Sequence, residues 1–204
     1  MTDAIIVGID EAGRGPLAGP VVAGACHIPH RLIEKKKGCW HPETDPSVFL
    51  CDSKQMEEHE REAAYEWIVN NCPWGVGLST AFEIDTIGIM ASNEQAMQKG
   101  LATLAETITP TYLLVDGRDK YWFDYPHSSI IGGDALEPSI AAASIIAKVT
   151  RDRMMKEYAE TYPEYGFEGH KGYASPAHIE AIQKHGPCDI HRKSFLRNIL
   201  NDPA

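Results

Sequence analysis

Residues Ile5-Ile6-Val7-Gly8-Ile9 run straight into Asp10-Glu11 and a glycine-rich turn, and a second β-branched run begins after Pro20. This order constrains the fold more than any other stretch. Gly13, Gly15, Pro16 and Gly19 supply turn chemistry, so Ala4 to Asp10 and Pro20 to His27 are expected to be consecutive antiparallel strands. Adjacent carboxylates where a buried strand ends, beside glycines that expose backbone, point to a site for a hard cation and a phosphate ester.

The 204 residues, 43% of them hydrophobic, suffice for one well-filled core, and a single domain is expected. No run reaches the ~18 apolar residues that cross a bilayer. Met1-Thr2-Asp3 has neither the basic nor the apolar zone of a signal peptide, so a soluble cytoplasmic chain with no membrane partner is expected. Cys26, Cys39, Cys51, Cys72 and Cys188 are odd in number and lack CxxC spacing, which fits reduced thiols better than a disulfide framework. The net charge of -10 argues at first against a nucleic-acid partner. It is unevenly spread, however: residues 1–137 carry 10 basic and 21 acidic groups, and residues 138–204 carry 9 and 8. A polyanion is therefore expected against the C-terminal third. Glu57, Glu58, Glu60, Glu62 and Glu66 read as the solvated face of a helix.

Residues 29–51, with Lys35-Lys36-Lys37 and Trp40, read as an irregular surface insertion. Gln55 to Asn71 has helical composition with Asp52 or Ser53 as cap, and Trp74 to Phe82 reads as a third strand. Two helices broken near Gly88 are expected between Glu83 and Thr107. Short strands follow at Tyr112 to Val115 and Ser128 to Ile131. Pro138 to Tyr162 is the clearest helix, with proline in its first turn and Ala141, Ala142, Ala143, Ser144 and Ala147 small enough for close approach to a sheet. A Gly- and aromatic-rich loop (Tyr165 to Tyr173) and one or two short helices complete the chain. Three strands followed by strands alternating with helices define an α/β layer fold with a mixed sheet.

Asp10, Asp116 and Asp134 each follow an apolar strand, which makes them candidates for one shared site together with Glu11. Four carboxylates that close repel unless cations neutralise them, and two divalent ions roughly 3.5 to 4 Å apart would do so. Because strand side chains alternate, Glu11 can join Asp10 only where the strand is already breaking. Taken singly, Asp116-Gly117, Asp134 and Asp10-Glu11 also fit ordinary turns and solvated strand ends.

The chain resembles the type 2 ribonucleases H, specifically the bacterial ribonuclease HII enzymes. The resemblance rests on Gly8 to Val22, Asp52-Ser53-Lys54, Val115-Asp116-Gly117, Gly133-Asp134, Ser139 to Arg153, Tyr165-Gly166-Phe167, His170-Lys171-Gly172-Tyr173 and His191 to Phe195, in family order over nearly the whole length. It implies an α/β ribonuclease H-like fold: a five-stranded mixed sheet flanked by helices, with residues 163–204 as a C-terminal helical, substrate-binding extension of a single domain, 1–204. It further implies a metal-dependent endonuclease that cuts RNA in RNA·DNA hybrids and incises 5′ to single ribonucleotides in duplex DNA. That activity serves ribonucleotide removal and primer processing and leaves 3′-hydroxyl and 5′-phosphate ends. The family's catalytic, metal-binding carboxylates fall on Asp10, Glu11, Asp116 and Asp134, with two Mg²⁺ or Mn²⁺ ions during catalysis. The resemblance assigns ribose reading to Gly13-Arg14-Gly15 and packing on the next deoxyribose to Tyr173, and it implies a monomer. Arg14, Lys54 and Lys148 are candidate phosphate contacts or, equally, solvated charges. Ser144 is a neutral contact or a packing residue, and His170 and His191 are structural histidines.

Three features depart from the family pattern: a longer segment around Glu34 to Val48, Gly132 where lysine is frequent, and Ala174-Ser175 after Tyr173. His27, His30, Cys39, His41 and Cys51 fit no compact zinc spacing. Gly13-x-Gly15-x-x-Ala18 matches a dinucleotide-binding pattern, but that motif must open a helix, whereas Pro16, Gly19 and Pro20 lead into a strand. A non-catalytic nucleic-acid-binding module of the same fold is the remaining alternative, against which the four carboxylates argue.

Overall fold

The computed structural model describes residues 4–200, so the reading of Met1-Thr2-Asp3 and the last residues of the domain lie outside it. Strand β1 (Ile6–Ala12) pairs antiparallel with β2 (Val21–Cys26), which pairs antiparallel with β5 (Trp74–Ser79). On its other side β1 pairs parallel with β6 (Tyr112–Asp116), and β6 pairs parallel with β7 (His127–Ile130). The sheet order β5-β2-β1-β6-β7 is the expected mixed, five-stranded arrangement, with β1 at its centre.

Strand alternation sorts the two faces. Val7, Ile9, Val21, Ala23 and Ala25 pack with Ala96, Met97, Leu101 and Leu104 of α3 (Ile89–Ala105). The opposite face carries Gly8 and Gly24, and there α5 (Pro138–Thr161) lies directly on the sheet. A Cβ built on Gly8 would overlap the Ser139 carbonyl, and one on Gly24 would overlap the Ala143 oxygen. The small residues of α5 and the two strand glycines are therefore complementary halves of one close contact. Behind α5, helix α1 (Glu58–Asn71) adds Ala64, Trp67 and Ile68 to the same core.

Several boundaries differ from the sequence reading. Residues 29–51 are not irregular: β3 (Ile33–Lys36) and β4 (Cys39–Pro42) form a hairpin whose turn places Lys37 at φ +50 beside Gly38. Cys39 and Cys51 are disulfide-bonded with Cα atoms 5.0 Å apart, which corrects the expectation of five reduced thiols; Cys26, Cys72 and Cys188 are free. The first long helix is capped by Glu57 through a reciprocal box with Glu60, not by Asp52 or Ser53, because Asp52 instead binds the Lys54 N–H at 3.0 Å. The third strand stops at Ser79, since Thr80 and Glu83 form a second capping box that opens α2 (Ala81–Ile87). The break between α2 and α3 falls at Gly88, φ +81, as expected. A short helix, α4 (Gly133–Leu136), was not read from the sequence.

The C-terminal segment holds α6 (Phe167–His170) and α7 (Pro176–His185). It packs through Phe167, Ile182 and Leu196 against Leu17, Ala18 and Met155. Backbone bonds from the Leu17 N–H to the Gly172 carbonyl, and from the Gly19 N–H to the Ile190 carbonyl, both 2.8 Å, tie it to the turn after β1.

Candidate active site

Parallel pairing of Ile9 with Val115 puts Asp10 beside Asp116, the last residue of β6. Asp116 Oδ1 accepts the Gly133 N–H at 2.7 Å, which fixes α4 and with it Asp134 over the same strand end. Glu11 stays within the ladder, opposite Ala23, so the expectation that β1 is already breaking there is corrected. The two neighbours obey strand alternation instead. Asp10 turns toward Ser144 of α5, and Glu11 toward Asn93 of α3, both at the end of the sheet.

Asp10 is 7% exposed; burial, reinforced by the charges of Glu11 and Asp116, holds its pKa well above the usual carboxylate range. Burial also raises Glu11, against the opposing pull of Arg14, and raises Asp134, which feels Asp52 and Asp116. Oxygen-only donors, desolvated and mutually repelling, suit a hard divalent cation. Asp10 Oδ1 accepts the Glu11 N–H at 2.7 Å and Asp134 Oδ1 the Ala135 N–H at 2.9 Å, so Asp10, Asp116 and Asp134 each commit one oxygen to backbone and keep the other for an outside ligand. Among the described residues no three such side chains form a ready-made ion site.

A cleft of about 310 Å³ opens over Asp10 and Glu11. Gly13, Arg14 and Gly15 form one wall, while Ser53, Lys54, Ser144, Lys148 and Tyr173 close the rest; Asp116, beside Asp10, and Asp134, beside Asp116, adjoin the cleft rather than line it. The Ser144 hydroxyl lies 2.7 Å from that of Ser53, in the cleft lining beside Asp10. Lys148 is paired with Asp152 at 2.8 Å. Arg14 reaches Asp119 at 2.8 Å and Glu11 at 3.4 Å, so its guanidinium is engaged in ion pairs at the rim. Tyr173 is 46% exposed, with the Arg151 guanidinium 5.7 Å from its ring centroid. Gly132, at φ +66, is the left-handed entry to α4, and Ser175 caps α7, so two of the three departures from the family pattern have local structural roles.

The Tyr173 loop rests on a histidine relay. His178 Nδ1 meets the Tyr173 carbonyl at 2.8 Å, so it must carry the proton, and His178 Nε2 therefore accepts from His191 Nε2, 3.0 Å away. His191 Nδ1 in turn accepts the Cys188 N–H at 3.0 Å, so both rings are held neutral. Burial, and then His178, pulls His191 down to about 4, while burial also lowers His178. A histidine whose folded pKa lies below its unfolded value stabilises fully above the unfolded pKa of 6.5 and loses that contribution as pH falls toward 4. For His191 the loss is about 3 kcal/mol. Because the raised carboxylates of Asp10, Glu11 and Asp134 act in the opposite direction, the readout is a difference. Between pH 7 and pH 4.5, urea unfolding is expected to lose more stability in the native protein than in His191→Gln, and equal changes in the two would contradict it.

The sequence reading missed a supporting shell. Asn93, on the Glu11 side of the sheet, donates to the Tyr121 hydroxyl at 2.8 Å, and Tyr121 donates to Asp119 at 3.3 Å. Only the Asp119 spacing after Asp116 could have hinted at it. Arg151 and Arg192, in the C-terminal third expected to meet a polyanion, are buried instead.

A central strand ending in clustered carboxylates, within this mixed sheet and under a glycine-rich cleft wall, defines a ribonuclease H-like nuclease. The ribonuclease HII family model matches residues 7–198. The chain belongs to the ribonuclease HII family and is an endonuclease of the ribonuclease H type. It is 47% identical to the ribonuclease HII of Bacillus licheniformis over 191 residues, 93% of this chain and 69% of that one. The ribonuclease H2 structure from Pyrococcus horikoshii OT3 superposes with a TM-score of 0.75 at 27% identity, covering 96% and 97% of the two chains. Bst-RNase HIII in complex with Mn²⁺ shares the fold, with a TM-score of 0.67 at 18% identity over 90% of this chain and 63% of that one.

Proposed function

We propose that this protein incises duplex DNA on the 5′ side of an embedded ribonucleotide and cuts the RNA strand of RNA·DNA hybrids, leaving 3′-hydroxyl and 5′-phosphate ends. The observation that carries the proposal is the single cleft joining Asp10 and Glu11 to the Gly13-Arg14-Gly15 wall and Tyr173. Asp10, Glu11, Asp116 and Asp134 would hold Mg²⁺ or Mn²⁺; the Mn²⁺ complex of Bst-RNase HIII, which shares only the fold, is consistent with that choice. Bound divalent cations supply Lewis-acid chemistry there: a lowered pKa for an attacking water and neutralisation of charge on the departing oxygen.

The chain's own residues do the rest. Asp10, held by the Glu11 N–H and lying beside Ser144 in the cleft, would be a principal ligand of the cations. The glycine-flanked turn brings backbone within reach of the sugar, where only the 2′-hydroxyl separates ribose from deoxyribose. Tyr173 offers its exposed ring to the following deoxyribose. Lys54 and Lys148 lie in the cleft to meet phosphate oxygens.

Incubation with a DNA duplex carrying one ribonucleotide is expected to give a single nick on its 5′ side in Mg²⁺ and none in EDTA, with an all-DNA duplex uncut. A metal-independent nick, or equal cutting of the all-DNA control, would overturn the reading.

A further inference from the structure

Beneath the Gly13-Arg14-Gly15 turn lie two buried guanidinium groups bonded to carbonyl oxygens rather than carboxylates. Arg192 is fully buried, and donates from Nη2 to the Gly13 carbonyl at 2.6 Å, from Nη1 to the Arg14 carbonyl at 2.9 Å and from Nε to the Gly19 carbonyl at 3.0 Å. Arg151 donates to the Pro20 and Ala18 carbonyls at 3.0 and 3.1 Å. Burial, together with Arg151, lowers the Arg192 pKa to about 9, which still leaves it charged at neutral pH.

In a trans peptide the C=O and the following N–H point opposite ways. Arg192 draws the Gly13 and Arg14 carbonyls inward, so the Arg14 and Gly15 N–H groups must point outward. Neither donates to any acceptor among the described residues. The two sides of the turn differ as this requires: a Cβ on Gly13 would collide with Arg151, whereas one on Gly15 meets nothing within 4 Å. The turn thus has a clamped underside and an open face that forms the cleft wall.

We propose that Arg192 is a positioning residue for ribose selectivity, holding the Arg14 and Gly15 N–H groups as a fixed pair of donors for the 2′-hydroxyl. This rests on the reading above that the turn faces the sugar. A planar guanidinium can satisfy three carbonyls in one orientation, whereas a lysine ammonium on a flexible stem cannot reproduce that fork. The Arg192 backbone N–H, bonded to the Leu17 carbonyl at 2.8 Å, is unaffected by side-chain replacement.

The test measures dissociation constants by fluorescence anisotropy in Ca²⁺, for a duplex with one ribonucleotide and for the same duplex in all-DNA form. The native protein is expected to prefer the ribonucleotide duplex. Arg192→Lys is expected to lose about tenfold of that preference, the equivalent of one or two hydrogen bonds, with all-DNA affinity little changed. In Arg192→Ala, millimolar guanidinium should restore the preference. A purely structural role would weaken both duplexes together. If the native protein shows no preference, the reading of the turn fails; if it does and both variants keep it, or if both duplexes weaken together, the Arg192 proposal fails. Should Arg192→Lys not fold, Arg192→Ala with and without guanidinium decides, and rescue of folding without rescue of preference overturns it.

Discussion

Asp10→Asn is expected to lower the single-turnover incision rate by at least ~10³-fold, about 4 kcal/mol of transition-state stabilisation, while leaving the protein folded. The asparagine oxygen can still accept the Glu11 N–H, so the hydrogen bond that seats residue 10 persists. What disappears is the charge, at the position where burial and two neighbouring carboxylates most oppose it. Thermal unfolding in EDTA should therefore give an unchanged or higher Tm for the variant. Added Mg²⁺ should raise the native Tm by ligand linkage, about 2.7 kcal/mol at a hundred times the dissociation constant, and should raise that of the variant much less. An incision rate within tenfold of native would remove Asp10 from the site.

Gly8→Ala should act through packing alone, and its effect on stability should exceed that of any surface change. Gly8 pairs with Cys26 and sits under the first turn of α5, so a methyl group there must displace the Ser139–Ile140 backbone. Forcing helix and sheet apart costs about 3 kcal/mol or more, roughly 10 °C in Tm for a chain of this size. The same shift would pull the Ser139 hydroxyl from the Ile28 N–H, 3.0 Å away, and displace Ser144 from the cleft lining beside Asp10, so incision should fall with stability. Gly15→Ala is the matched control: its Cβ enters open space, and stability should stay within about 0.5 kcal/mol. Equal melting of both variants would show that the α5 contact is not the determinant.

Much of this was legible beforehand because its determinants are local. The antiparallel β1–β2 pair follows from two β-branched runs around a glycine turn, and α5 from an N-terminal proline and a long alanine-rich run. In the sequence Asp10, Asp116 and Asp134 each follow an apolar run within a few residues, and that alone nominated a common site, although in the fold Asp10 lies inside β1 and Asp134 in α4. The misreadings share a cause. The β3–β4 hairpin is held by cross-strand bonds and the Cys39–Cys51 link, which its polar, lysine-rich sequence does not announce. Glu57 caps α1 only because Glu60 returns the bond, whereas Asp52 and Ser53 are occupied elsewhere.

By itself, the order of residues determined which segments become strands and helices, which of them end in carboxylates, and which family the whole pattern resembles. Those properties depend on neighbours within a few positions, where periodicity, turn chemistry and capping act. Only the tertiary structure decided that Glu11 reaches the site from within the ladder, that the histidines lock the Tyr173 loop, and that Arg192 grips the turn from 178 positions away. A buried guanidinium selects its acceptors by where the folded backbone presents free carbonyls, and no local rule of sequence specifies that geometry.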